Sequence, residues 1–274
     1  MHAIRTIAGL ELRIQARSRW TASFALIFAA LAVAISYFGL VTAGSVGIQS
    51  FERTAASLLN LVLYLAPIVA LTMSTLSLSG ERGAQELLFS QPISRSSVLI
   101  GKLAGLFVSL GTATLAGFGL SGLLIATAAG TDGLLRFLAM VGVSLLLEAV
   151  FLALGCLVAV AAATRVRAFG AALFFWFFFV LFYDLVVIGM SFLLRERLAN
   201  QMILWSLFGN PVDLARVSAL LAMGDPAIFG AAGAALVKAF GGAAASHALL
   251  LAGLCAWVAL PVLAANRWLR HRDV

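Results

Sequence analysis

Residues 80–95 read Gly80-Glu81-Arg82-Gly83-Ala84-Gln85-Glu86-Leu87-Leu88-Phe89-Ser90-Gln91-Pro92-Ile93-Ser94-Arg95, a short charged stretch between two apolar runs each long enough to cross a bilayer. Ser79 can accept from the free N–H groups of a helix start, Glu81 sits near its positive end, and Pro92 pushes Gln91 out of helical geometry. A surface helix ending near Gln91 is predicted. Leu87, Leu88 and Phe89 make an apolar knot on it, while Glu81, Arg82, Gln85 and Glu86 stay in water. So short a helix is marginal without a surface to pack on, which makes the stretch a docking element for another protein. The plainer alternative is a polar loop whose Leu-Leu-Phe dips into the headgroup region.

The chain around this stretch is 63% hydrophobic and only 11% charged over 274 residues, the composition of an integral membrane protein. The net charge of +7 comes from basic residues scattered at the ends of apolar runs, as membrane orientation requires, and it does not indicate nucleic acid. Cys156 and Cys255 both fall inside apolar runs with no partner at metal-ligand or redox spacing, so each reads as a small buried hydrophobe.

Outward toward the N-terminus, residues 56–78 form a second span that Pro67 should bend, and residues 22–42 a first span too long for a signal-peptide core. Residues 1–19 carry Arg5, Arg13, Arg17 and Arg19. With Ile4, Ile7, Leu10 and Ile14 roughly on one face, although Glu11 intrudes there, they predict an interfacial helix on the inner leaflet. Toward the C-terminus, residues 98–129 exceed what one bilayer needs, and Lys102 near their start can snorkel to the inner surface. Gly101 and Gly105 there have the spacing of a close helix–helix contact.

Thr131-Asp132-Gly133 makes a turn before a fourth span at 137–163, which ends at Arg165-Val166-Arg167. An aromatic-rich fifth span begins near Phe169 and closes around Met190. Residues 191–245 hold too many charges for a clean span and too many apolar residues for a solvated loop, so short re-entrant or surface helices are predicted. A sixth span at 246–265 ends in a basic, aromatic anchor at 266–272. The expected fold is therefore all-α, one transmembrane domain over residues 1–274, with six transmembrane helices, an interfacial helix, a cytoplasmic helix at 80–97 and outer helices before the last span. Twelve of the 18 Lys and Arg residues fall on the side of the termini, which places both termini in the cytoplasm. Reading 227–245 as a seventh span would carry the basic C-terminus outside, against the same rule.

No stretch matches a Gly-x-x-x-x-Gly-Lys-Ser/Thr phosphate loop, so ATP would have to be handled by another chain. His2, His247 and His271 have no Glu or Cys completing a metal or nucleophile set, and the methionines are dispersed; no catalytic or metal residue is proposed. Two acids remain inside spans. Glu148 lies about 11 residues into the fourth, ~16 Å deep at a rise of ~1.5 Å per residue, and Asp184 lies in the outer half of the fifth. They could line a substrate route, or be satisfied by neighbouring helices or a subunit contact.

This order of parts resembles the permease subunit of ABC-2 type transporters, the match being carried by Glu81-Arg82, Gly83, Glu86-Leu87-Leu88, Gln91-Pro92-Ile93-Ser94-Arg95 and Gly101-Lys102. The resemblance implies that residues 80–97 are a coupling helix seated on an ATPase subunit, with Glu81, Arg82, Glu86, Leu87, Leu88, Phe89, Pro92 and Arg95 at the contact. Residues 54–58, 179–185 and 210–216 are similar to the branch of the family that serves maturation of nitrous oxide reductase. That branch implies two copies of this chain with two of an ATPase holding ATP and Mg, and no cofactor in this chain. It also implies a periplasmic subunit on the outer segment, with Asn210, Asp213 and Arg216 as the contact, and a sulfur species or copper as cargo. Exporters of lipid, polysaccharide or drug are the alternative within the family; an ion-coupled secondary transporter or a membrane scaffold are the alternatives outside it.

Overall fold

The computed structural model of the protein describes residues 2–43, 47–79, 94–131, 133–224, 236–237 and 240–271. Within them the chain is helical throughout: α1 His2–Ala16, α2 Arg19–Ala43, α3 Gly47–Leu78, α4 Arg95–Ala129 and α5 Leu134–Ala161 come first. A sixth helix, α6 Arg165–Phe177, runs through a π-helical turn at Phe178–Phe182 into α7 Tyr183–Leu193. Then follow α8 Glu196–Gly209, α9 Pro211–Met223 and α10 Ala243–His271.

Among the described residues, six helical stretches are long and apolar enough to cross a membrane: Arg19–Val41, Thr54–Leu78, Arg95–Ala128, Leu134–Ala161, Arg165–Leu193 and Ala243–Leu269. The protein is thus an all-α, multi-pass membrane protein. Each span begins a few residues before the apolar run that announces it, because helices continue through polar flanks that can reach the headgroups. The fourth, α5, is central. Of its most apolar 18 residues 78% are buried, against 22%, 17% and 22% in the first, fifth and last spans, whose uncovered apolar sides fit lipid.

Small residues let α3 approach α5 closely. A Cβ at Gly155 would lie 2.9 Å from the Leu71 carbonyl, and Ser74 Oγ donates to Leu152 O at 2.7 Å. Edge-to-face rings join α2, α4 and α5: Phe28 to Phe118 at 5.4 Å and Phe118 to Phe137 at 5.8 Å. Helix α3 continues unbroken through Pro67. In the turn that this proline deprives of a hydrogen bond, the Tyr64 carbonyl accepts from the Trp176 indole of α6 at 3.0 Å.

Among the described residues of segment 191–245, α8 and α9 follow one another after the fifth span. Helix α9 is a wedge packed on α5 and α10 with Val212, Leu214, Ala215, Val217 and Leu221 buried, and it ends on Gly224 in the left-handed conformation. Gly241 and Gly242 have φ of 75° and 141°, so no single helix runs through 227–245; residues 225–235 and 238–239 lie outside the described residues.

Helix α1 is turned differently from the sequence expectation. Ile7 and Glu11 are buried against α4, while Leu10 and Ile14, assigned to the same apolar face as Ile7, are more than half exposed. Gly101 and Gly105 decide this. A Cβ at 101 would lie 2.8 Å from Ile7 Cβ, and one at 105 would lie 2.7 Å from both the Ala8 carbonyl and Glu11 Cβ, so only glycines admit α1 at that distance.

Candidate functional site

A π-helical turn inserts one residue into a helix and leaves a carbonyl without its usual partner. In the fifth span that turn covers Phe178–Phe182, and the Phe179 carbonyl is taken by Asn210 Nδ2 at 3.0 Å. The same Asn210 caps α9. Its Oδ1 accepts from Val212 N at 3.0 Å, with Pro211 at the first helical position, where its missing N–H costs nothing. Tyr183 Oη donates to Ser206 O at 2.6 Å and Trp257 Nε1 to Phe208 O at 3.0 Å, which holds the end of α8 between the fifth and last spans.

The cap places Asp213 and Arg216 one turn apart on α9, facing Asp184 of α7. Arg216 Nη1 lies 2.9 Å from Asp213 Oδ1 and 3.4 Å from Asp184 Oδ2, and Asn210 Nδ2 donates to Asp213 Oδ2 at 2.9 Å. Two carboxylates therefore share one guanidinium. Burial, and then the Asp184 carboxylate, push Asp213 up to about 7, against the opposing pull of Arg216 and Asn210. The cluster is half-open, with side-chain exposures of 40% for Asp184, 29% for Arg216 and 16% for Asp213.

Asp184, read from sequence as part of a substrate route, and Asn210, Asp213 and Arg216, read as an outer partner contact, thus form one site. Asn210 is wholly buried by the Phe179, Asp213 and Val212 bonds and presents no surface to a partner. Arg216 and Asp184 are the members that reach outward.

Glu148 is held separately. It is fully buried in α5, Oε1 accepts from Thr114 Oγ1 of α4, and Oε2 has no hydrogen-bond partner among the described residues. Among those residues no group of three or more His, Cys, Asp or Glu is placed to hold a metal ion.

On the side of the termini, Glu81, Arg82, Glu86, Leu87, Leu88, Phe89 and Pro92 lie outside the described residues. Arg95, at the start of α4, donates from Nη1 to the Leu269 carbonyl at 2.9 Å, and Ser96 Oγ donates to Asn266 Oδ1 at 2.6 Å, so the chain leaving residues 80–93 is fastened to the end of α10. A second junction there is absent from the sequence reading. Buried Glu11 accepts at Oε1 from Ser77 Oγ of α3 (2.9 Å) and Gln15 Nε2 (2.8 Å), and Gln15 in turn accepts from Thr21 Oγ1 of α2. Lys102 does not snorkel. Its Nζ donates to the Ser77 carbonyl at 2.7 Å and lies 4.0 Å from Glu11 Oε2. The available signal was the acid on an apolar helix face, which calls for a buried partner.

The ABC-2 family transporter protein family matches residues 5–274. A probable ABC transporter permease protein NosY of Pseudomonas aeruginosa is 39% identical over 228 residues, covering 79% of this chain and 81% of that one. The protein of the same name from Stutzerimonas stutzeri is 35% identical over 226 residues, with the same coverage. Six apolar spans, a family match along almost the whole length and relatives of this similarity establish that the chain belongs to the ABC-2 family of transporter proteins, as a permease subunit.

Proposed function

We propose that the chain is the membrane half of a transporter energised by a separate, NosF-like ATPase, and that it moves a sulfur species or copper for assembly of the copper sites of nitrous oxide reductase. The observation that carries the reading is similarity to two NosY permease proteins across about four-fifths of each. The working unit is two copies of this chain with two of the ATPase, which holds ATP and Mg; this chain is no enzyme and carries no cofactor. It lies in the bacterial inner membrane with both termini cytoplasmic, and a NosD-like periplasmic subunit rests on the outer segment.

Residues 80–97 couple the two proteins, the apolar knot entering a groove on the ATPase. Asp184 and Glu148 belong to the cargo route. The 40% exposure of the Asp184 carboxylate supports this, since a charge in the outer part of a span needs water or protein beside it rather than acyl chains. The test is co-expression of tagged permease with a NosF-like ATPase. Wild type should capture it, and Leu88→Asp or Phe89→Asp should release it while still inserting, because forcing an unpaired carboxylate into an apolar groove costs several kcal/mol. Capture at wild-type yield by both variants would end the docking reading. In cells, loss of the chain should leave reductase without copper; fully metallated reductase would remove the cargo assignment.

A further inference from the structure

Four helices meet at one buried carboxylate on the side of the termini. Glu11 of α1, only 4% exposed, joins Ser77 at the end of α3, Lys102 in the second turn of α4 and, through Gln15, Thr21 at the start of α2. Helices α3 and α4 are the two that enter and leave residues 80–93. Nothing in a merely amphipathic helix requires such a junction: Ile7 and the glycine seats at 101 and 105 already hold α1 against α4 by packing. The polar group adds something packing does not, a directional tie from α1 to both helices at once. A carboxylate removed from water is retained only where its partners compensate it, and here they come from two other helices, α3 and α4, and from Gln15 of α1, which links it to α2.

We propose that Glu11 is a positioning residue for ATPase coupling: its carboxylate makes α1 move with the junction of α3 and α4, so that a displacement imposed on residues 80–93 is passed to α1 and from there, through Gln15 and Thr21, to the first span. The inference rests on the assignment of an ATPase partner made above. Packing alone would let α1 slide along the glycine seats as α3 shifts. The Ser77 hydroxyl and carbonyl, held by Glu11 and Lys102 respectively, prevent that. The exposed side of α1, where Leu10 is 57% and Ile14 53% exposed, is left free to report or to carry the movement.

The experiment uses the whole complex in lipid nanodiscs, with a spin label on Ile14→Cys in a Cys255→Ser background, Cys156 being buried. Addition of ATP with vanadate should change the label's mobility in the otherwise wild-type complex. The change should be lost in Glu11→Ala, diminished in Ser77→Ala, and largely kept in Glu11→Gln, which retains an acceptor for Ser77 and Gln15, although the ATPase still co-purifies with all three. Because Glu11→Ala could fail to fold, Ser77→Ala stands as the second arm, removing one hydroxyl and leaving the Ser77 carbonyl to Lys102. A wild-type response in Glu11→Ala or, should that variant not assemble, in Ser77→Ala overturns the inference while leaving the ATPase assignment standing. So does the absence of any ATP response at Ile14 in the unsubstituted complex. If the wild-type chain captures no ATPase at all, the assignment of the partner fails, and this inference falls with it.

Discussion

Asp213 shows how much a single residue's surroundings decide. With its carboxyl pushed up to about 7, the folded protein holds a proton there that the unfolded chain releases near the ordinary value of 3.8. Between those two values the native state binds more protons than the unfolded one, so this residue's contribution to stability declines as pH rises, by at most about 1.4 kcal/mol per pH unit, and is level above 7. Asp213→Asn keeps the shape and removes the titration. The melting temperature of the detergent-solubilised protein should therefore fall from pH 5 to 7 in wild type more steeply than in Asp213→Asn; parallel curves would show that the site does not titrate there. Asp184 calls for a different pair. Asp184→Asn should leave the complex assembled but reduce copper loading of the reductase, read as complex yield by size exclusion beside reductase copper content. Normal loading in Asp184→Ala would take the residue out of the mechanism. The sequence placed Asp184 in the fifth span and Asp213 with Asn210 and Arg216 in the following segment, 29 positions away. That one arginine serves both is not written in any local pattern, because it depends on the angle at which α9 returns to the fifth span.

At the scale of elements, what was legible followed from periodicity and length, and what was hidden followed from register. Runs of about 20 apolar residues announce spans whatever their neighbours, and the Asn210-Pro211 pair announces the start of α9. The π-turn at Phe178–Phe182 leaves no such mark. A row of aromatic residues reads alike in an α- or a π-helix, and the extra residue is stabilised by Asn210, 31 positions away from Phe179. Helix α1 was seen, but its rotation was not, since Leu10 and Ile14 are as apolar as Ile7 and only the glycine seats on α4 choose between them. This yields a contrast within one contact. Gly105→Leu places a side chain where even a Cβ lies 2.7 Å from α1, and should cost about 1–3 kcal/mol and lower the melting temperature, with α1 becoming sensitive to trypsin at Arg13. Gly9→Ala, on the open side of the same helix with nothing within 4 Å, should be neutral or stabilising by up to about 1 kcal/mol through helix propensity alone. Equal losses from both would mean that α1 does not pack on α4 in the membrane.

For the whole molecule, the spans alone do not say which end of the bundle faces the cytoplasm; the orientation proposed above rests on charge. The exposed arginines Arg5, Arg13, Arg17 and Arg19 at the first helices, Arg165 and Arg167 at the fifth, and Arg267 at the last lie on one side, together with Arg95, Lys102 and the Glu11 junction. By sequence, the opposite side carries Arg53, Arg136, Arg195, Arg197, Arg216 and Lys238, most of them on the long segment at 191–245, and long segments cross a membrane with little regard to charge. Arg216 is moreover committed to two carboxylates, so it adds little to the charge that orients the chain. Only an odd number of spans would separate the termini, and the break at Gly241-Gly242 stands where a seventh would have to continue. A tag after residue 274 should therefore be reached by membrane-impermeant reagents only once the inner membrane is opened, whereas a cysteine introduced at Gly130, in the turn between α4 and α5, should be labelled in intact spheroplasts. Labelling with the reverse pattern at both places would invert the molecule and put residues 80–93 where no ATPase could reach them. Exposure of residue 274 and Gly130→Cys on the same outer side would instead require another crossing between them.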